Sequence, residues 1–120
     1  MSRTDTFELD QDGDTLFVMP LRAVSSLADE SVRHQWERVL KQFDEAEVTN
    51  VVFDFAKTRY FGSSMLEAML VLWKRVRGRD GSMALCNASH EGLEVLQLSK
   101  FDTLWPLCDS RQAALAAVHS

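Results

Sequence analysis

Apolar and polar residues follow two rhythms along this chain, and the changes of rhythm mark its elements. Short apolar runs at residues 7–9 and 16–19 flank Asp12-Gly13-Asp14, and an Asp-Gly pair between such runs predicts a β-hairpin. Pro20 closes the second strand, because proline has no N–H to give a ladder. Beyond the polar stretch from Ser25 and Ser26 to Asp29 and Glu30, apolar residues return at Val32, Trp36, Val39, Leu40 and Phe43. Steps of four, three, one and three put them on one side of a helix.

The run Val51-Val52-Phe53-Asp54-Phe55 does not alternate, so it predicts a strand buried on both faces, at the centre of a sheet. Leu66, Met69, Leu70, Trp73 and Val76 then line one side of a helix that runs to Gly78. Asp80-Gly81 makes a turn before a strand at Met83-Ala84-Leu85-Cys86, giving a β-α-β unit. Ser89 is placed to cap a short helix carrying Leu93, Val95 and Leu96. A weaker strand is expected over 101–107, at a sheet edge because Pro106 cannot donate to a ladder. Asp109 is expected to cap a last helix with Ala113, Ala114, Leu115, Ala117 and Val118. No repeat, linker or low-complexity segment interrupts the order β-β-α-β-α-β-α-β-α. The expectation is a single α/β domain over residues 1–120, core about 7–118, with a mixed β-sheet, an N-terminal hairpin and packed helices.

Composition narrows what such a domain does. With 46% hydrophobic and 26% charged residues in 120, the chain has enough apolar surface for one core and too much for wholesale disorder. Its net charge of −5 repels polyanions. The basic group Lys74, Arg75, Arg77 and Arg79 falls at the end of a helix, where cations complement the helix dipole; nucleic-acid binding is not expected. Cys86 and Cys108 show no CxxC or ligand spacing, and there is no secretory signature or membrane-length apolar run. A cytoplasmic protein with reduced thiols and no direct membrane insertion is expected.

The chemistry concentrates after the central strand, where Tyr60-Phe61-Gly62 leads into Ser63-Ser64 at the start of a helical pattern. A helix N-terminus has unpaired N–H groups and partial positive charge, so it favours an oxyanion, including a phosphate on a serine there. The plainer reading is structural: Ser64-Met65-Leu66-Glu67 fits a capping box. If Ser63 is the cap instead, Ser64 lies in the first helical turn with its hydroxyl more exposed.

The strand Val51-Val52-Phe53-Asp54-Phe55 followed by Tyr60-Phe61-Gly62-Ser63-Ser64-Met65-Leu66 resembles the signature of STAS domains, the family of bacterial anti-sigma factor antagonists. The family's order of hairpin, helix, strand with serine turn, next strand and Ala-rich last helix extends the resemblance over residues 7–118. It implies a non-enzymatic partner-switching regulator whose unphosphorylated form binds an anti-sigma factor with serine kinase activity and frees a sigma factor. The second hydroxyl residue of the motif is then the phosphoacceptor, which here is Ser64, with its neighbour Ser63 as the alternative acceptor. Gly62 stands where the family usually has Asp, and Met65 where it usually has Gly. The implied partner surface comprises Lys57, Thr58, Arg59, Tyr60, Gly62, Ser63, Ser64 and Met65, with Met65 as an exposed apolar contact. An alternative is a STAS module that docks constitutively in a transport or signalling assembly, Ser64 being only a helix cap.

Other chemistries find little support. Ser64, His90 and Asp54 could be named as a triad, yet Gly62-Ser63-Ser64-Met65-Leu66 does not match the G-x-S-x-G elbow. The three histidines, His34, His90 and His119, lack paired ligand spacing, and Gly78-Arg79-Asp80-Gly81 lacks the Lys-Ser/Thr of a phosphate loop. No catalytic residue, metal or cofactor is expected.

Overall fold

The computed structural model describes residues 6–22, 29–59 and 62–120. Strands β1 (Phe7–Asp12) and β2 (Thr15–Pro20) form the expected hairpin, Asp12 opposite Thr15. Its two-residue loop is Gly13-Asp14, with Gly13 at φ 61°, a left-handed conformation that costs glycine nothing. Helix α1 (Glu30–Glu45) follows, capped by Asp29, whose carboxylate accepts from the N–H groups of Ser31 and Val32. Residues 25 and 26 of the polar stretch before it lie outside the described residues.

Strand β3 (Asn50–Asp54), helix α2 (Ser63–Gly78) and strand β4 (Met83–Cys86) form the β-α-β unit. Helix α3 (His90–Leu98) has Ser89 as its cap, accepting from the Gly92 N–H. Strand β5 (Leu107–Cys108) and helix α4 (Arg111–Val118) complete the chain. The sheet order is β1-β2-β3-β4-β5, antiparallel only between β1 and β2. The apolar run at 51–55 therefore supplies the middle strand. Strands β2 to β5 advance in one direction across the sheet, so crossovers of one hand put α1, α2 and α3 on the same face.

Period-two alternation divides the core. Leu16 and Val18, Val51 and Phe53, and Met83 and Leu85 point to the three-helix face, where they bury Trp36, Val39, Phe43, Met69, Leu72 and Leu96. Phe17, Val52, Ala84 and Cys86 point the other way, onto Ala114 and Val118 of α4. A fully buried side chain of this kind is worth roughly 1.5–3 kcal/mol, so most of the hydrophobic stabilisation lies on the first face.

Two expectations at the C-terminal end need correction. Residues 101–107 do not form one strand: Phe101–Thr103 is a 3₁₀ turn and β5 is only two residues. Phe101 and Trp105 turn inward against each other, ring centroids 5.3 Å apart, and that packing overrides β propensity. Pro106 does precede an edge strand, its carbonyl accepting from the Leu85 N–H. The last helix is capped by Ser110, whose Oγ accepts from the Ala113 N–H, one residue later than Asp109.

Candidate functional site

Asp54 is the last residue of β3, and its carboxylate fixes where the serine loop begins. The side chain is buried, 2% exposed, on the α4 face of the sheet. Its Oδ1 accepts from the Ala56 N–H at 3.0 Å and from Asn87 Nδ2 at 3.0 Å, and its Oδ2 from Arg111 Nε at 2.6 Å. Burial alone would raise its pKa; the hydrogen bonds from Asn87, Arg111 and Ala56, with the Arg111 charge, outweigh that and hold it below the ordinary carboxylate value. Arg111 also reaches Asp10 at 3.4 Å and lies over the Phe17 ring at 4.7 Å. One buried carboxylate thereby joins β3, the end of β4 and the start of α4.

The far side of the loop is held by α3. Ser89 Oγ donates to the Arg59 carbonyl while accepting from Gly92, so the residue capping α3 also tethers the loop. Asn87 sits at φ 60° between β4 and this cap, a conformation asparagine tolerates better than most residues. The Thr58 N–H donates to the Phe55 carbonyl at 3.2 Å, turning the chain away from the sheet.

The loop then enters α2 without a side-chain cap. Gly62 is the N-cap residue, and its carbonyl accepts from the Leu66 N–H. Ser63 and Ser64 are the first and second helical residues. Ser63 is exposed and Ser64 half-buried, and among the described residues neither hydroxyl has a hydrogen-bond partner. The capping box expected at Ser64 to Glu67 therefore does not form, nor is Ser63 the cap. A cap must stand just outside the helix with non-helical backbone, and here that place belongs to Gly62, extended at φ −122° and ψ −156°.

Of the remaining expected contact residues, Lys57 and Arg59 are exposed, and Tyr60 lies outside the described residues. Thr58 is 7% exposed and Met65 is 0% exposed. Met65 as an exposed apolar contact is thus a correction: at the third helical position its side chain turns into the three-helix core. Its bulk, where the family usually has Gly, fills the interior rather than the surface.

The triad is not assembled. His90 is exposed beside Glu94, 4.0 Å away, and both Asp54 oxygens are engaged by Ala56, Asn87 and Arg111. Three of the four basic residues at the end of α2 are taken up by local contacts. Arg75 pairs with Asp44, and Arg77 lies over Trp73. Arg79 donates to the carbonyls of Phe43, Asp44, Ala46 and Val48, satisfying groups that the C-terminal end of α1 leaves open. Sequence reasoning missed the Asp54–Arg111 pair. The available signal was an aspartate inside an otherwise apolar strand, since a buried charge requires a partner.

The STAS domain family model matches residues 7–114, and the chain belongs to the STAS domain family. The Bordetella bronchiseptica protein BtrV, named for the anti-sigma factor antagonists, is 34% identical over 76 residues, 63% of this chain. That match spans 65% of the relative's own length. The anti-sigma factor antagonist (STAS) domain protein from Planctomyces limnophilus superposes with a TM-score of 0.78 at 26% identity, covering 95% of this chain and 98% of the other. The Bacillus cell fate determinant SpoIIAA shares the fold at 18% identity. In its unphosphorylated form the TM-score is 0.74, with 94% of this chain and 96% of the other covered. In its phosphorylated form the values are 0.70, 93% and 98%. Among the described residues no helix is long and apolar enough to cross a membrane.

Proposed function

We propose that this protein is a non-enzymatic, cytoplasmic partner-switching regulator of the anti-sigma factor antagonist type, with Ser64 as its phosphoacceptor. Unphosphorylated, it binds an anti-sigma factor that is a serine kinase and so frees a sigma factor. Phosphate on Ser64 ends the complex. The observation that carries this reading is the bare start of α2, where, among the described residues, no side chain caps the first turn and the hydroxyls of two serines are unengaged. The names of its relatives and the existence of SpoIIAA in a phosphorylated form support it.

The energetics suit a switch. Phosphoserine adds about −1.5 to −2 charges, and at a helix N-terminus it favours the local fold by about 0.3–1 kcal/mol. In a protein interface the same group must shed water and avoid acidic neighbours. A penalty of ~3–4 kcal/mol there weakens binding by two to three decades. Phosphorylation therefore releases the partner and leaves the domain folded. The contact surface is the exposed part of the loop and of α2, Lys57, Arg59, Ser63, Glu67 and Val71, around the half-buried Ser64.

Site-resolved phosphopeptide mass spectrometry on the protein from its native cells tests this, wild type against Ser64→Ala. The expected result is phosphate on Ser64 that the variant abolishes. Absence of phosphate across growth and stress conditions overturns the switch and favours constitutive docking. Gly62, in place of the usual Asp, is the feature that favours that second reading.

A further inference from the structure

We propose that Arg111 is a positioning residue for the serine loop: carried on the helix that covers the opposite face of the sheet, its guanidinium fixes the Asp54 carboxylate from which the loop starts. Calling that loop the phosphoacceptor site rests on the function proposed above; the mechanical coupling does not.

The helices are joined to the sheet unequally. Helices α1, α2 and α3 are built into the large core, whereas α4 rests on a small one of Phe17, Val52, Ala84 and Cys86. A short helix carrying Ala113, Ala114, Ala116 and Ala117 has few large side chains to lock its position. Polar contacts at its two ends supply the missing precision. At the C-terminal end His119 Nε2 meets Asp14 Oδ1 of the hairpin turn at 2.7 Å. At the N-terminal end the anchor is Arg111, and its partner is the residue before the loop. Nε takes Asp54 Oδ2, leaving Oδ1 for the Ala56 N–H, the second residue beyond the strand.

The same Oδ1 accepts from Asn87, two residues before the serine that tethers Arg59. The near end of the loop's first half therefore hangs on this carboxylate directly, and the far end hangs on Ser89, two residues beyond a second donor to it. A guanidinium engages two carboxylates from one rigid plane, as here with Asp54 and Asp10, which a point charge such as ammonium does not reproduce. Displacing α4 withdraws Nε from Oδ2 and frees the carboxylate to rotate, so the docking of α4 and the order of residues 55–59 are energetically linked. Linkage is reciprocal: whatever fixes the loop tightens α4.

Amide hydrogen exchange on the full chain tests the coupling, comparing wild type with Arg111→Gln, Arg111→Lys and Asp10→Asn. Arg111→Gln is expected to speed exchange at residues 56–59 and in the first turn of α4 by roughly tenfold, equivalent to about 1.4 kcal/mol in the local opening equilibrium. Amides of α1 and β2 should keep their rates. Arg111→Lys should restore part of the protection, and Asp10→Asn, which leaves Asp54 paired, should leave the loop unchanged. A uniform acceleration across the fold, or no change at 56–59, overturns the proposal; Arg111→Lys decides the matter should the glutamine variant not fold. Ser64 phosphate occupancy in native cells is read on the same variants. Phosphate in wild type with altered occupancy in Arg111→Gln extends the coupling to modification. No phosphate in wild type defeats the switch alone and leaves the exchange result standing.

Discussion

Helices α2 and α4 each follow a parallel strand, β3 and β5, yet they are secured in opposite ways. Helix α4 opens with Ser110 folded over the Ala113 N–H and Arg111 locked to Asp54, and it is held on a small core. Helix α2 opens on Gly62 with no side-chain cap and two serines whose hydroxyls are unengaged among the described residues, and it is held by Met65, Leu66, Ala68, Met69, Leu72 and Val76 in the large core. Strong packing lets a helix leave its first turn unsatisfied; weak packing requires that turn to be secured. The free first turn of α2 is available to a partner because the rest of the helix does not depend on it.

The largest effect should come from Asp54, which ends the strand leading to α2 and pairs with the first residue of α4. Replacing Asp54 by Ala strands the Arg111 guanidinium and the Ala56 and Asn87 donors, and about 2–3 kcal/mol of stability should be lost in urea unfolding. The pH dependence has a definite sign. With its pKa held below the ordinary value, Asp54 stabilises the fold above about pH 4 and loses that contribution as pH falls through its folded value. Asp54→Asn should flatten this acid limb. An unchanged limb would show that the pair does not secure α4.

Next come the caps themselves. Ser110→Ala should cost about 1 kcal/mol, since it removes a capping bond, whereas Ser64→Ala should move stability by no more than about 0.5 kcal/mol. Equal losses at the two serines would erase the contrast between the helices. Gly62→Asp supplies the absent cap and should raise stability by only a few tenths of a kcal/mol. A larger gain would mean that α2 does depend on its first turn.

The mildest effect concerns the other end of α4. Hydrogen bonding to Asp14, against desolvation, raises the His119 pKa, with the Asp14 and Asp12 charges adding to it; the same bond lowers Asp14. A raised histidine contributes fully below about pH 6.5 and loses its contribution as pH rises through its folded value; a lowered aspartate contributes above about pH 4. Amides in the last turn of α4 should therefore be better protected at pH 5.5 than at pH 8.5, roughly the two sides of that window, once intrinsic exchange rates are removed. His119→Gln should abolish the difference.

Much of the fold was legible in the pattern. The unalternating run at 51–55 marked the central strand because a strand with helices on both faces has no polar side to show. Asp12-Gly13-Asp14 marked the hairpin because its turn needs a residue that accepts positive φ, as Gly13 does. Asp109 missed the last cap by one residue, since Asp and Ser both favour that position and only the backbone path chooses between them. Over 101–107 the apolar rhythm predicts a strand, but Trp105 packs edge-on against Trp73 and Phe101 packs against Trp105, and the contact with Trp73, across the sequence, is one that no local rhythm reveals.

By itself the sequence determined the element order, the α/β class, the family and the position of the serine turn, because these follow from short-range periodicity and a contiguous motif. Only the tertiary structure decided that Gly62 leaves α2 uncapped, that Met65 is interior, and that Asp54 belongs to Arg111. Those outcomes depend on where a backbone bends and on which charges meet across 57 residues of chain. Burial makes such a meeting consequential, since a carboxylate withdrawn from water must find its donors wherever the fold brings them.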